Sequence, residues 1–299
     1  MKDKSLQPYI WILLSGFSFS WMVILAPLAN KACPWQVVAI MRCIIPLVLT
    51  AIWAKWDGVE FVVWSSRVLW VRSIAGSCSL VGTFYALSIL PVTDIYTISN
   101  IFPIWVALLS WPLLGRMPSI AVWVSIVSSV VGVAVIQGHE LGTGNYAALV
   151  VVAVSLFTAV AMLGLNRLRH MDPRAVVVHF SATALVFACG TLLFPIEPPT
   201  VEFSAIHAWE LLGVGVSAAI GQYFLTRAFT AGDPARVSVA SLSQFVMVLA
   251  LDVTILGHVP SLSKLWGIPL ILGPTIWLMT RRTRPAPEPP APIPAASLR

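Results

Sequence analysis

The sequence predicts an all-α membrane protein of ten transmembrane helices, arranged as two inverted five-helix repeats. Three observations carry that expectation. Only 10% of the residues are charged while 58% are hydrophobic, whereas a soluble domain needs roughly 25% charged residues to wet its surface. Apolar stretches of roughly 20 residues, the length that crosses about 30 Å of hydrocarbon, follow one another from residue 9 to residue 280. Short motifs also recur in a fixed order at a spacing of 139 to 142 residues.

The first five stretches run over 9–28, 35–53, 69–90, 95–114 and 120–137, and the second five over 146–165, 175–194, 209–229, 237–256 and 265–280. Turn chemistry separates them, as in Pro91 to Asp94, Gly138 to Asn145 and Gly232 to Pro234. Met1-Lys2-Asp3-Lys4 leads into an apolar run too long for the core of a signal peptide, and no A-x-A site follows. The first stretch is therefore expected to remain as a membrane helix. The two halves are expected over 8–138 and 144–280. Beyond them, 281–299 carries Pro285, Pro287, Pro289, Pro290, Pro292 and Pro294 with little apolar surface to bury, and reads as a disordered cytoplasmic tail.

Charge placement sets the expected orientation. With the N-terminus in the cytoplasm, fifteen of the 18 cations fall on the cytoplasmic side, Lys31 and Lys264 fall opposite, and Arg42 lies inside a span. The positive-inside rule demands such a split, so both termini are expected in the cytoplasm and the protein in the cell's inner (plasma) membrane. The net charge of +6 is spread over short loops with no contiguous basic face, which argues against a nucleic-acid partner. Cys33, Cys43, Cys78 and Cys189 contain no C-x-x-C pair, so neither a disulfide framework nor a metal site is expected, and no cofactor is implied.

The repeat is read from Leu114-Gly115-Arg116-Met117-Pro118-Ser119, which recurs 142 residues later as Leu256-Gly257-His258-Val259-Pro260-Ser261. Pro34-Trp35-Gln36-Val37-Val38 likewise matches Pro173-Arg174-Ala175-Val176-Val177 at a spacing of 139. Five spans per half is an odd number, so the second half enters from the opposite side. Inverted repeats of this kind give secondary transporters equivalent inward-open and outward-open states, and alternating access is the expected mechanism. Fold alone does not establish activity.

The run Gly82-Thr83-Phe84-Tyr85-Ala86-Leu87-Ser88-Ile89-Leu90-Pro91-Val92-Thr93-Asp94, followed by Pro103 and Leu113-Leu114-Gly115, resembles the signature of EamA-type transporters of the drug/metabolite transporter superfamily. The second half offers Arg227-Ala228-Phe229, Gly232-Asp233-Pro234-Ala235 and Leu256-Gly257 in the corresponding places. The resemblance implies ten helices, cytoplasmic termini and a central cavity lined by the first, third and fourth helices of each half. It implies transport of amino acids, nucleotide-related compounds, sugars or toxic amines, often by exchange or proton coupling. Two departures stand out: the acid that usually follows Leu-Gly is Arg116 in one half and His258 in the other, and the second-half counterpart of Pro103 is Phe245.

On the fourth span Tyr96, Ser99, Asn100 and Pro103 share one helical face. A polar stripe in lipid must face protein or water. Tyr96, Ser99 and Asn100, with Ser241 and Gln244 from the ninth span, Tyr85, Gln222 and Tyr223 from the third and eighth, and Trp21 from the first, form the expected substrate cavity. Each could instead be a hydrogen bond between helices. Ionisable groups within spans are costly and usually face a cavity or a partner. Arg42, Arg72, Arg227, Asp252 and His179 are therefore candidates for a charge or coupling role. Structural readings stand beside these: an anchor for Arg42, an interfacial acid for Asp252, a packing histidine for His179. Pro103, Pro112, Pro269 and Pro274 are expected to kink their spans.

No H-E-x-x-H helix, G-x-S-x-G elbow or Walker sequence is present, so an enzyme or an ATP-driven pump is not expected. The expected function is a secondary active transporter of a small metabolite: an amino acid, a nucleoside-like compound or a related zwitterionic or anionic solute. A channel or an intramembrane enzyme is the alternative. A coupling proton or counter-substrate, the lipid bilayer and a monomeric or homodimeric state complete the expected partners.

Overall fold

The structure, a computed structural model, describes residues 6–61, 64, 66–89, 99–115, 117–137, 146–193, 202–257 and 265–280. Helices alone make up its regular elements among the described residues. In chain order they are α1 (Gln7–Ala32), α2 (Trp35–Trp56), α3 (Arg67–Ile89), α4 (Phe102–Leu114), α5 (Ile120–Gln137), α6 (Tyr146–Arg167) and α7 (Pro173–Gly190). There follow α8 (Ala205–Ala231), α9 (Pro234–Ser241), α10 (Gln244–Leu251) with a π turn over Asp252–Leu256, and α11 (Gly267–Thr280). The tail over 281–299 and Tyr96 lie outside the described residues.

Local chemistry sets the helix ends. Asp172 and Asp233 cap α7 and α9: each carboxylate accepts from the backbone N–H of Arg174 or Arg236, and each precedes a proline at the first helical position. That proline's missing N–H is one the helix start leaves unpaired in any case. The repeated Leu-Gly pair is explained by the other end. Gly115 (φ 66°) and Gly257 (φ 70°) stop α4 and the π turn in the left-handed conformation, which glycine adopts without a Cβ clash.

Five segments are long and apolar enough to cross a membrane: Gln7–Ala32, Trp35–Trp56, Leu149–Arg167, Pro173–Leu193 and Pro234–Ile255. Phe102–Leu114, Ile120–Val135 and Gly267–Thr280 are shorter apolar helices. The helices α3 and α8, 23 and 27 residues long, are less apolar because they carry buried polar groups: Arg72, Ser73 and Ser77 on one, Gln222 and Thr226 on the other. Outward faces show the reverse, with Trp56, Ile120, Val127, Val186 and Ile276 exposed. Apolar outside and polar inside is the ordering that a lipid solvent imposes.

Packing joins the two stretches of chain throughout. The helix α1 lies chiefly on α8 and α3 on α6; α2 packs on α7 and α8, and α3 also on α7. Further contacts set α4 on α6, α9 and α10 on α1, and α5 against α11. Serine hydroxyls tie the same pairs. The Oγ of Ser15 donates to the Gly221 carbonyl at 2.8 Å, Ser79 and Thr158 share a bond of 2.6 Å, and the Oγ of Ser128 donates to the Leu270 carbonyl at 3.1 Å. Close approach uses glycine. A Cβ at Gly82 would lie 2.5 Å from Cγ2 of Val154, and one at Gly221 would lie 2.9 Å from the ring of Phe19.

The ninth span was expected to be one helix and is two. The α-helix stops at Ser241, Leu242 and Ser243 form a turn, and α10 resumes at Gln244. The break comes from serine chemistry, since the hydroxyl and the N–H of Ser243 both bond the Ala240 carbonyl, replacing the regular helical ladder with tighter bonds. A matching break stands 142 residues earlier, where Ser99 is helical, Asn100 and Ile101 turn, and α4 begins at Phe102. There Pro103 stands in the first turn of α4, where it lacks the N–H that would bond the carbonyl four residues back, and the interruption expected of it is this break just ahead of it.

Candidate functional site

Both breaks open onto one cavity of about 250 Å³ at the centre of the bundle. Its walls come from α1 (Phe19, Met22), α2 (Arg42), α3 (Arg72, Thr83), α6 (Thr158), α7 (Phe180) and α8 (Gln222, Phe229), with both broken segments. Unwound backbone within a span is tolerated in lipid only where protein or a water-lined cavity satisfies it. In transporters such broken helices mark the substrate site.

Of the residues singled out in the sequence, Ser99, Asn100, Gln222, Ser241 and Gln244 line this cavity together with Arg42 and Arg72. Three others stand elsewhere. Trp21 is 37% exposed, and its neighbour Met22 takes the cavity face of α1. Tyr85 is equally exposed and stacks edge-on against Trp35, with ring centroids 6.2 Å apart. Tyr223 packs on Trp53 at 4.7 Å, in a lateral apolar cleft between α2 and α8.

Arg227 lies over the Trp11 ring at 4.1 Å and donates to the Tyr223 hydroxyl at 3.3 Å. His179 is buried with its Nδ1 2.8 Å from the Ser73 hydroxyl and its ring edge-on to Trp70. Asp252 follows α10 and is not on the cavity wall.

Arg72 is the unusual member. It is 1% exposed, the largest fully buried side chain among the described residues. Its guanidinium carbon sits 4.0 Å above the Phe180 ring, and its Nε and Nη1 have no hydrogen-bond acceptor. A desolvated cation–π contact is worth about 2 kcal/mol, while the penalty for burying an ion is several kcal/mol even after relaxation. The ring therefore offsets only part of the cost. No Asp or Glu stands among the described residues of the wall. Glycines make the room. A Cβ at Gly76 would lie 2.7 Å from Nη1 of Arg72 and 2.8 Å from the Phe180 ring, and one at Gly164 would lie 2.9 Å from the Arg72 Cβ. Arg42 reaches the same wall from α2, its guanidinium 5.8 Å from the Phe19 ring centre.

Gln222 repeats the pattern among neutral groups, being 3% exposed with its Nε2 lacking an acceptor. Around these polar groups Met22, Phe84, Leu225 and Phe245 supply apolar walls. Among the described residues no three His, Cys, Asp or Glu side chains gather as a metal site would require. The arrangement is suited to holding a small polar or charged solute by hydrogen bonds and charge. Sequence reading missed Phe180, Thr83 and Thr158. The serine series Ser238, Ser241 and Ser243 was the available signal for the second break.

The model of the EamA-like transporter family matches residues 6–137 and again 145–280. The pseudopaline exporter CntI of Pseudomonas aeruginosa is 28% identical over 222 residues, covering 73% of this chain and 76% of its own. A Saccharomyces cerevisiae protein named "Probable transport protein YPL264C" is 24% identical over 286 residues, covering 83% of this chain and 79% of its own. One solved crystal structure superposes with a TM-score of 0.78 at 21% identity, over 93% of this chain and 97% of that one, which speaks to the fold alone.

Proposed function

The chain belongs to the EamA-like transporter family, a multi-pass membrane transporter on that ground, and we propose that it is a secondary active transporter moving a small metabolite by alternating access. The single observation that carries this reading is the central cavity onto which two broken spans, 142 residues apart, both open. A site built from corresponding breaks in two halves can be exposed to one side and then the other as the halves rock, with no change in the groups that hold the solute. Ser99, Asn100, Gln222, Ser241 and Gln244 then hold the substrate, beside Arg42 and Arg72. Exchange for a counter-substrate or coupling to a proton supplies the drive, and the name of the Pseudomonas aeruginosa relative favours export.

The same reading assigns ten transmembrane helices to two inverted repeats over 8–138 and 144–280, with both termini in the cytoplasm of an inner membrane. Helix packing supports it. Exchanging each helix of the first half for its counterpart turns the α1–α8 contact into α6–α3, α2–α8 into α7–α3, and leaves α2–α7 and α5–α11 as they are; all of these contacts are made. The paired glycines follow the same rule, Gly82 meeting α6 and Gly221 meeting α1.

Protein purified and reconstituted in liposomes should take up a labelled metabolite with saturation and show counterflow against the unlabelled compound. Linear flux without saturation would favour a channel and overturn the proposal. Single cysteines placed at positions 142 and 169 should be labelled from opposite sides of the membrane; labelling from one side would break the inverted topology.

A further inference from the structure

We propose that the cavity selects a solute carrying an anionic oxyacid group, a carboxylate or a phosphate, and that this group docks on the guanidinium of Arg72. The inference rests on reading the central cavity as the transport site, and it adds the chemical class of the substrate.

Arg72 is buried, yet Nε and Nη1 find no acceptor. A guanidinium presents its N–H groups along two edges, Nε with Nη2 and Nη1 with Nη2, each a planar fork matching two oxygens of a carboxylate or phosphate. Here the fork is fixed before any ligand arrives: Phe180 supports one face of the group, and Gly76 and Gly164 leave it a slot that a Cβ would fill. A group of fixed geometry with donors unmet is organised for an acceptor from outside the protein. Arg42 reaches the same wall from α2.

Opposite chemistry completes the selection. The Gln222 Nε2 is a further buried donor without an acceptor, placed to meet a second oxygen of the same solute. A cationic solute would meet the buried Arg72 guanidinium on that wall, so the cavity disfavours it by repulsion. Leu211 holds the place in α8 that Arg72 holds in α3, at the 139-residue spacing, and Ser181 answers to Arg42 in the same way. The cationic wall thus belongs to one half of the fold and is not a by-product of the repeat.

The test is thermal unfolding of the purified full chain in detergent at constant ionic strength, with citrate, glutamate and glycerol 3-phosphate as anionic probes and choline and glycerol as cationic and neutral controls. Wild type should be stabilised saturably by at least one anionic probe. Arg72→Gln should weaken that apparent affinity at least about tenfold, Arg72→Lys less, because it keeps the charge and loses the fork. Gly76→Ala gives a second variant that leaves the arginine in the chain and crowds Nη1. A response to citrate and glutamate alone assigns the group as carboxylate, and one to glycerol 3-phosphate alone as phosphate.

Stabilisation by choline or glycerol and not by the anions, no response to any anion, or anion binding unchanged in Arg72→Gln would each overturn the proposal. The same probes in liposome counterflow separate the two claims. Anion binding through Arg72 without counterflow sinks the transporter reading and keeps the anion site. Saturable counterflow of choline alone, indifferent to Arg72→Gln, does the opposite.

Discussion

Two arginines at two junctions of the bundle meet aromatic rings in the same way and differ in everything else. Arg72 of α3 lies over Phe180 of α7 at 4.0 Å, and Arg174 of α7 lies over Trp53 of α2 at 5.0 Å. Arg174 is held by Asp57 and by Asp172, the latter at 3.0 Å, and its side chain is 15% exposed. Arg72 is almost wholly buried at the cavity wall and leaves Nε and Nη1 without acceptors. This chain therefore neutralises an arginine where the task is to join the end of α2 to the start of α7. At the cavity it leaves the guanidinium's donors unmet, at a cost in stability of the kind that folds carry at functional sites.

The largest effect should come from removing each arginine in turn. Arg174→Met strands two carboxylates and loses the contact with Trp53. Full burial would make that cost about 3–5 kcal/mol, but Asp57 is 52% exposed, so solvent screening brings the expected loss to about 1–2 kcal/mol. Arg72→Met removes a buried charge without stranding a described carboxylate, and the ligand-free protein should become as stable as wild type or more so. Thermal unfolding in detergent reads both. If Arg72→Met were the more destabilised of the two, Arg72 would be a structural anchor and the contrast would collapse.

Asn166 and Gln222 make the same contrast between neutral amides. The Nδ2 of Asn166 donates to the carbonyls of Phe229 at 3.0 Å and Gly232 at 2.9 Å, fastening α6 to the end of α8. Asn166→Ala leaves the Phe229 carbonyl without that donor and should cost about 1–2 kcal/mol, read as a lowered unfolding midpoint. An unchanged midpoint would mean that this junction is held by packing alone.

Next comes the acid side of the Arg174 cluster. The Arg174 guanidinium beside Asp172, with help from the Arg174 backbone N–H, holds the Asp172 carboxyl below its ordinary value. Arg227 contributes weakly in the same direction, and Asp57 faces the other side of Arg174. A depressed carboxyl stabilises the fold fully above its unfolded pKa of about 3.9, and that contribution is lost as pH falls through the lowered folded value. Asp172→Asn should therefore be less stable than wild type at pH 7, by about 1 kcal/mol or less because asparagine still caps a helix. The gap should close only in acid, below about pH 4. A gap that closes near neutrality would assign the effect to another group.

The class of the protein and its family were legible because they rest on bulk properties: charge scarcity, spans of fixed length, and the Leu-Gly ends that require positive φ at Gly115 and Gly257. Helix rotation was not. In water the apolar face of a helix points inward and hydropathy reveals it; in lipid both faces are apolar, so Trp21 and Met22, or Tyr85 and Phe84, compete on nearly equal terms for the inward position. Polar residues escaped that ambiguity, since lipid refuses them, which is why Ser99, Asn100, Gln222, Ser241 and Gln244 could be placed on one wall. The Arg72–Phe180 contact joins residues 108 positions apart. No spacing within a helix could have announced it.

The smallest expected change in stability carries the finest test of the comparison. Methionine nearly matches glutamine in length and volume, so Gln222→Met removes the amide while keeping the packing. If the Gln222 Nε2 served helix packing through a bond, its loss would cost about 1 kcal/mol, as for any satisfied buried amide. The structure gives that nitrogen no acceptor, so deleting it should change the unfolding midpoint by no more than about 0.5 kcal/mol or raise it slightly. The same substitution should still raise the half-saturation concentration for counterflow, because the missing donor belongs to the bound state. Lower stability with unchanged counterflow would place Gln222 with Asn166 among the groups that hold helices together, and would leave Arg72 the sole buried side chain to which the cavity reading gives unmet donors.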